Sequence, residues 1–99
     1  MYATNDSFAR ITDIVHDFLF VEINSTALQN KTFEYKIISQ EEKLIRKGHF
    51  EGPMVQLRLS LMQEGKYTFQ LYLNGEQLLN SGFEKRAGFS NYSLSLNNE

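Results

Sequence analysis

The run Val55-Gln56-Leu57-Arg58-Leu59-Ser60-Leu61, then Glu64-Gly65-Lys66-Tyr67-Thr68-Phe69-Gln70-Leu71-Tyr72-Leu73-Asn74-Gly75, decides the fold class. Val55, Leu57, Leu59 and Leu61 alternate with polar residues, and so do Tyr67, Phe69, Leu71 and Leu73 after the breaker Glu64-Gly65. A period of two places each apolar set on one side of a sheet. Asn74-Gly75 between β-rich flanks is a strong hairpin signal, because both residues tolerate the positive φ of a tight turn. The reading is an antiparallel sheet with one buried face, the kind found in sandwiches and barrels.

Composition narrows the class. Ninety-nine residues match one domain, 1–99, long enough to build a core without covalent staples. The chain has no cysteine, which removes disulfides and thiolate metal sites. A net charge of −2 supplies no basic stripe and argues against nucleic acid as a partner. Eight Phe and five Tyr with no Trp suit sheets. No apolar run reaches the roughly 20 residues of a membrane helix, so no membrane insertion is expected. Met1-Tyr2-Ala3-Thr4-Asn5-Asp6 has neither a charged n-region nor an apolar h-region. The expectation is a cytoplasmic protein if the chain is complete, and a secreted or surface one if it belongs to a larger exported protein.

Working outward from the hairpin, further strands are predicted at 18–23, 33–38, 44–47 with 48–50, 76–80 and 83–86, and a last one on Tyr92, Leu94 and Leu96. Turn punctuation falls at Asn24-Ser25, Glu51-Gly52-Pro53 and Ser81-Gly82. Short strands at this spacing predict an all-β, Ig-like antiparallel sandwich of about seven strands. Phe8, Ile11, Val15 and Phe18 recur at helical spacing behind a capping Ser7, so a short N-terminal helix competes with an irregular strand there. Ser39-Gln40-Glu41-Glu42 matches a capping box, but both flanks read as strands, and a polar hairpin turn over 39–43 is the preferred reading. The expected core is Phe20, Phe33, Tyr35, Ile37, Val55, Leu57, Leu59, Leu61, Tyr67, Phe69, Leu71 and Leu73.

Residues that carry chemistry are sparse. Asp13, His16 and Asp17 have donor spacing for half of a metal site, yet His-Asp before an apolar strand is ordinary loop chemistry. His49 is expected on the solvent face of a strand. No Gly-x-Ser-x-Gly elbow or phosphate loop occurs, and Glu41-Glu42 belongs in a solvated turn. No catalytic, cofactor or metal residue is therefore assigned, and no enzyme activity is expected. Tyr72 should face away from Phe69 and Leu71, toward solvent, where a sugar or peptide could stack. Lys85-Arg86 reads as a basic, edge-protecting strand end.

The strands Phe18-Leu19-Phe20-Val21-Glu22-Ile23 and Phe33-Glu34-Tyr35-Lys36-Ile37-Ile38 resemble the opening strands of the C-terminal sorting domains of Bacteroidetes secreted proteins. Glu42-Lys43-Leu44-Ile45-Arg46-Lys47-Gly48 is similar to the hairpin of that family, and the run from Val55 to Leu71 to its core. Asn74-Gly75, Phe83 and Lys85-Arg86 resemble its closing hairpin and basic end. The similarity covers residues 13–86; the chain differs in having no Pro before the first strand and in continuing from Ala87 to Glu99. The same alternation occurs in fibronectin-III-like sandwiches. The resemblance implies a rigid recognition tag read by the type IX secretion machinery, in which Gly65 releases a turn and Tyr67 anchors a buried strand. Its partner would be a protein, either secretion machinery or the domains of its parent. Gly65, Tyr67, Tyr72, Lys85 and Arg86 are the candidate recognition residues. The alternative is a free-standing carbohydrate- or peptide-binding sandwich.

Overall fold

A computed structural model describes residues 2–5, as backbone, and 9–88. Nine strands lie among them: β1 (Tyr2–Asn5), β2 (Ala9–Thr12), β3 (Ile14–Val15), β4 (Phe18–Ile23), β5 (Thr32–Ser39), β6 (Leu44–Glu51), β7 (Met54–Arg58), β8 (Gly65–Leu73) and β9 (Glu76–Lys85). One sheet has the order β1-β2-β4-β7 and the other β3-β9-β8-β5-β6. The chain changes sheets on either side of β3, and again between β4 and β5, β6 and β7, and β7 and β8; the last three crossings are the Greek-key path of an Ig-like sandwich. The only parallel pairing among the described strands joins β3 to β9.

The hairpin that anchors the sequence reading is present. β8 and β9 pair from Gly65↔Lys85 to Leu73↔Glu76, with Asn74 at φ 53° and Gly75 at φ 83° in the turn. The polar turn over 39–43 is present too. Ser39 N–H donates to Lys43 O (2.8 Å), Glu42 N–H to Ser39 O (2.9 Å), and Lys43 N–H to Ser39 Oγ (3.1 Å). The capping-box residues thus close a hairpin and start no helix.

Several expectations need correction. No helix occurs among the described residues, and residues 9–18 form β2, β3 and the start of β4, with bends at Asp13, His16 and Asp17. Ile11 and Val15 are both buried, but a spacing of four satisfies a period of two as well as one of 3.6. Ala9, Ile11 and Val15 keep strand parity while Phe18 turns outward at 41% exposure; Ser7 and Phe8 lie outside the described residues. The segment switches sheets at Asp13, whose carbonyl accepts from Glu84 N–H (2.9 Å) while Val15 O accepts from Arg86 N–H (2.8 Å). Ser81-Gly82 does not break β9. Leu79, Ser81, Phe83 and Lys85 hold one phase and are all buried. The strand predicted on Tyr92, Leu94 and Leu96 falls outside the described residues.

The core joins the inner faces of both sheets. Ala9, Ile11, Leu19, Val21, Ile23 and Leu57 come from the first, and Val15, Phe33, Tyr35, Ile37, Phe69, Leu71, Leu79 and Phe83 from the second. Of the expected core, Val55, Tyr67 and Leu73 are partly buried against this cluster. Two members are wrong. Phe20 is 38% exposed because β4 runs in the other phase, with Leu19, Val21 and Ile23 inward. Leu61 is 92% exposed because β7 ends at Arg58. Leu59 stays buried past that end, held by its N–H to Asp17 O (2.7 Å), and a turn from Met62 N–H to Leu59 O (3.0 Å) throws Leu61 outward.

Gly48 requires its identity through a close approach. It lies opposite Tyr35, and a Cβ there would sit 2.8 Å from the Tyr35 ring. The ring instead covers the glycine and stacks on Phe69, with centroids 5.8 Å apart and planes at 13°.

Candidate functional site

β6 and β7 each end their sheet, opposite β3 and β1, and lie on the same side of the sandwich. Arg46 spans the gap between them. Its Nε donates to Tyr35 Oη (3.1 Å) within one sheet, and its Nη1 to Arg58 O (2.9 Å) on the other. A guanidinium suits this bridge because its donors point in fixed, divergent directions. Beside the bridge opens a groove of about 520 Å³, lined by Ile45, Arg46, Arg58, Ser60, Leu61 and Met62, with Leu59 beneath. The lining is apolar apart from the two arginines and Ser60. Arg58 Nε donates to Ser60 Oγ (3.3 Å), and Ser60 Oγ donates to Asp17 Oδ1 (2.9 Å). The loop wall is thereby tied to the start of β4. Among the described residues, no carboxylate lies within ion-pair distance of Arg46 or Arg58.

An apolar surface adjoins this groove. On the outer face of the first sheet, Phe18, Phe20 and Met54 are 41, 38 and 55% exposed, and Phe18 pairs across the strands with Arg58. Leu44, Ile45 and Leu61 are the other large apolar side chains exposed among the described residues. Two neighbouring surfaces that meet at Arg58 thus carry five of the six, Ile45 and Leu61 in the groove and Phe18, Phe20 and Met54 on the outer face, while Leu44 starts β6 outside the groove lining. Scattered single apolar residues need no explanation, but a cluster of this kind marks an interaction site.

The five candidate recognition residues do not form one site. Gly65 starts β8 at φ +149°, a conformation glycine adopts readily. Tyr67 stacks on Phe83 (5.7 Å) and donates its hydroxyl to Gln63 O (2.7 Å), four residues upstream. A tyrosine near the start of this strand, bonded back to the preceding corner and two residues before a buried position (here Phe69), is the tyrosine corner of Ig-like sandwiches. Tyr72 faces outward, but Lys36 Nζ lies 5.0 Å from its ring centroid. Its hydroxyl donates to Gln70 Oε1 (2.9 Å) and lies 3.2 Å from Gln77 Oε1. Lys85 does not form a solvated strand end: it is 1% exposed, and its Nζ donates to Arg86 O (2.6 Å). Arg86 is exposed and pairs with Glu84 (3.2 Å).

The His and acidic residues are likewise dispersed. His16 Nδ1–H donates to Ala87 O (3.1 Å), while Asp17 accepts from Ser60. His49 is exposed and lies 3.8 Å from Glu34, its cross-strand neighbour. No cluster of three His, Asp or Glu side chains occurs among the described residues. Asp13 Oδ1 is buried without a hydrogen-bond partner at the sheet switch.

A search of family models finds no match for the chain, and none of the curated proteins matches it. The groove was hidden from sequence reasoning because its walls lie 13 residues apart, at Ile45 and Arg58, on different sheets. The one available signal was the Leu-Ser-Leu-Met run at 59–62, where the alternation that began at Val55 ends in two adjacent apolar residues.

Proposed function

We propose that this chain is a non-catalytic interaction module that docks onto a protein through the β6–β7 edge and the adjoining outer face. The observation that carries this reading is that the groove with exposed Ile45 and Leu61 adjoins the outer face with exposed Phe18, Phe20 and Met54, the two meeting at Arg58. Leaving Leu61 at 92% exposure forgoes roughly 1.5–3 kcal/mol of burial. A partner that covers the patch recovers it. The narrower role of a sorting tag on an exported protein rests on the resemblance over residues 13–86 alone. The sugar-binding alternative has a weaker platform, since Lys36 faces the Tyr72 ring and two glutamines engage its hydroxyl.

The test is site-specific photo-crosslinking in native cells, with a benzophenone amino acid at position 61 or at position 76. Glu76 begins β9 at the far end of β8, roughly 30 Å along a nine-residue strand. A discrete protein adduct from position 61 but not from 76, lost on Ile45→Asp, is expected. Adducts of equal yield from both positions, or none from 61, contradict the reading.

A further inference from the structure

We infer that the β6–β7 groove takes an extended acidic peptide: a partner segment in which apolar side chains alternate with Asp or Glu. The inference rests on the interaction-module reading and gives its site a ligand class. Three features of the groove converge on this occupant.

The first is charge. Arg46 uses Nε and Nη1 in the bridge between the sheets, and Arg58 uses Nε on Ser60. Nη2 of Arg46 and both Nη groups of Arg58 engage no carboxylate among the described residues, although the whole chain carries two more acidic than basic residues. Both guanidiniums are exposed and line the same opening. A planar fork of donors matches a carboxylate with two parallel bonds, the carboxylate is the anion every unmodified protein partner carries, and two forks in one groove suit two of them. The acidic side chain closest in the hydrogen-bond network, Asp17, lies behind Ser60, whose hydroxyl it accepts.

The second feature is the floor. Ile45, Leu61 and Met62 supply apolar contacts between the charged positions. The third is the wall. β6 is the last strand of its sheet, eight residues long, with no strand laddered along its outer side, where Arg46 alone is bonded across to Arg58 O on β7. Such an edge is a ready template for an extended segment, whose main-chain groups pair with the edge while alternate side chains enter pockets. The period of two in the ligand then matches an apolar floor flanked by arginines.

The experiment is a fluorescence-anisotropy titration of the full chain with a short fluorescein-labelled peptide of alternating Val and Glu. The controls are the same peptide with Lys for Glu and with Ser for Val. The Val–Glu peptide is expected to bind at least about tenfold tighter than the Val–Lys peptide, in a salt-sensitive manner. Arg58→Gln, an exposed change, should weaken it about tenfold. Leu61→Ser, at 92% exposure, should weaken it without altering the melting temperature. Amide shifts should move at Ile45, Arg46 and Leu61. Absence of binding, equal binding of the Val–Lys peptide, indifference to both substitutions, or shifts confined to another face would each overturn the inference. Self-association of the chain through the same residues would also overturn it, by making a second copy the occupant. Crosslinking at position 61 in cells without acidic-peptide selectivity leaves the interaction module standing and removes only the ligand class.

Discussion

Leu59 and Leu61 stand two residues apart in an alternating run, and the turn from Met62 N–H to Leu59 O separates their environments. Leu59 is 1% exposed and Leu61 is 92% exposed. Leu59→Ala or Phe69→Ala is expected to destabilise the fold by about 2–5 kcal/mol in chemical denaturation. Leu61→Ala should stay within about 0.5 kcal/mol. A comparable loss at 59 and 61 would place both in the core and remove the groove floor. Tyr67 offers a finer test, because ring and hydroxyl do separate work. Tyr67→Phe keeps the stack on Phe83 and loses the bond to Gln63 O, at an expected cost of about 0.5–1.5 kcal/mol. The corner bond had no signal of its own in the sequence; Tyr67 was legible as core-facing because it shares the phase of Phe69 and Leu71. Lys85 was not legible as buried. Its charge suggested solvent, but strand parity with Ser81 and Phe83 carries it inward, where its stem packs and its ammonium meets Arg86 O.

β8 and its turn to β9 could be read directly, since alternation, a breaker and Asn-Gly all pointed to one register. β4 could be located but not phased. Five of its six residues are apolar, so the run itself does not say whether Phe20 or Val21 faces inward. Pairing decides it: Leu19↔Leu57 and Val21↔Val55 face the other sheet, leaving Phe18 and Phe20 outside. β2 and β3 were ambiguous because the interval between Ile11 and Val15 fits a helix and a strand alike. The register of β6 depends on Gly48 yielding space to Tyr35. Gly48→Val should overpack that contact and cost about 1–3 kcal/mol, with amide exchange accelerating along β6 before the rest of the sheet. Uniform loss of protection across both sheets would show that β6 is not a separable edge. In the β8–β9 turn, Gly75→Ala at φ 83° should cost about 1 kcal/mol.

The architecture closes its core by Greek-key crossovers and leaves two strand edges facing each other at β6 and β7. Arg46 bridges those edges, and the apolar residues expelled by the end of β7 and by the phase of β4 gather beside the bridge. The arrangement exists only in the folded chain, which explains why the sandwich was readable from alternation and turns while its working surface was not. The absence of cysteine makes the claim directly measurable, since any thiol introduced is unique. Leu61→Cys and Glu76→Cys should react with maleimide equally fast in the purified chain. In native cells strong protection is expected at position 61 and none at 76. Equal reactivity of the two thiols in cells would contradict a covered β6–β7 surface.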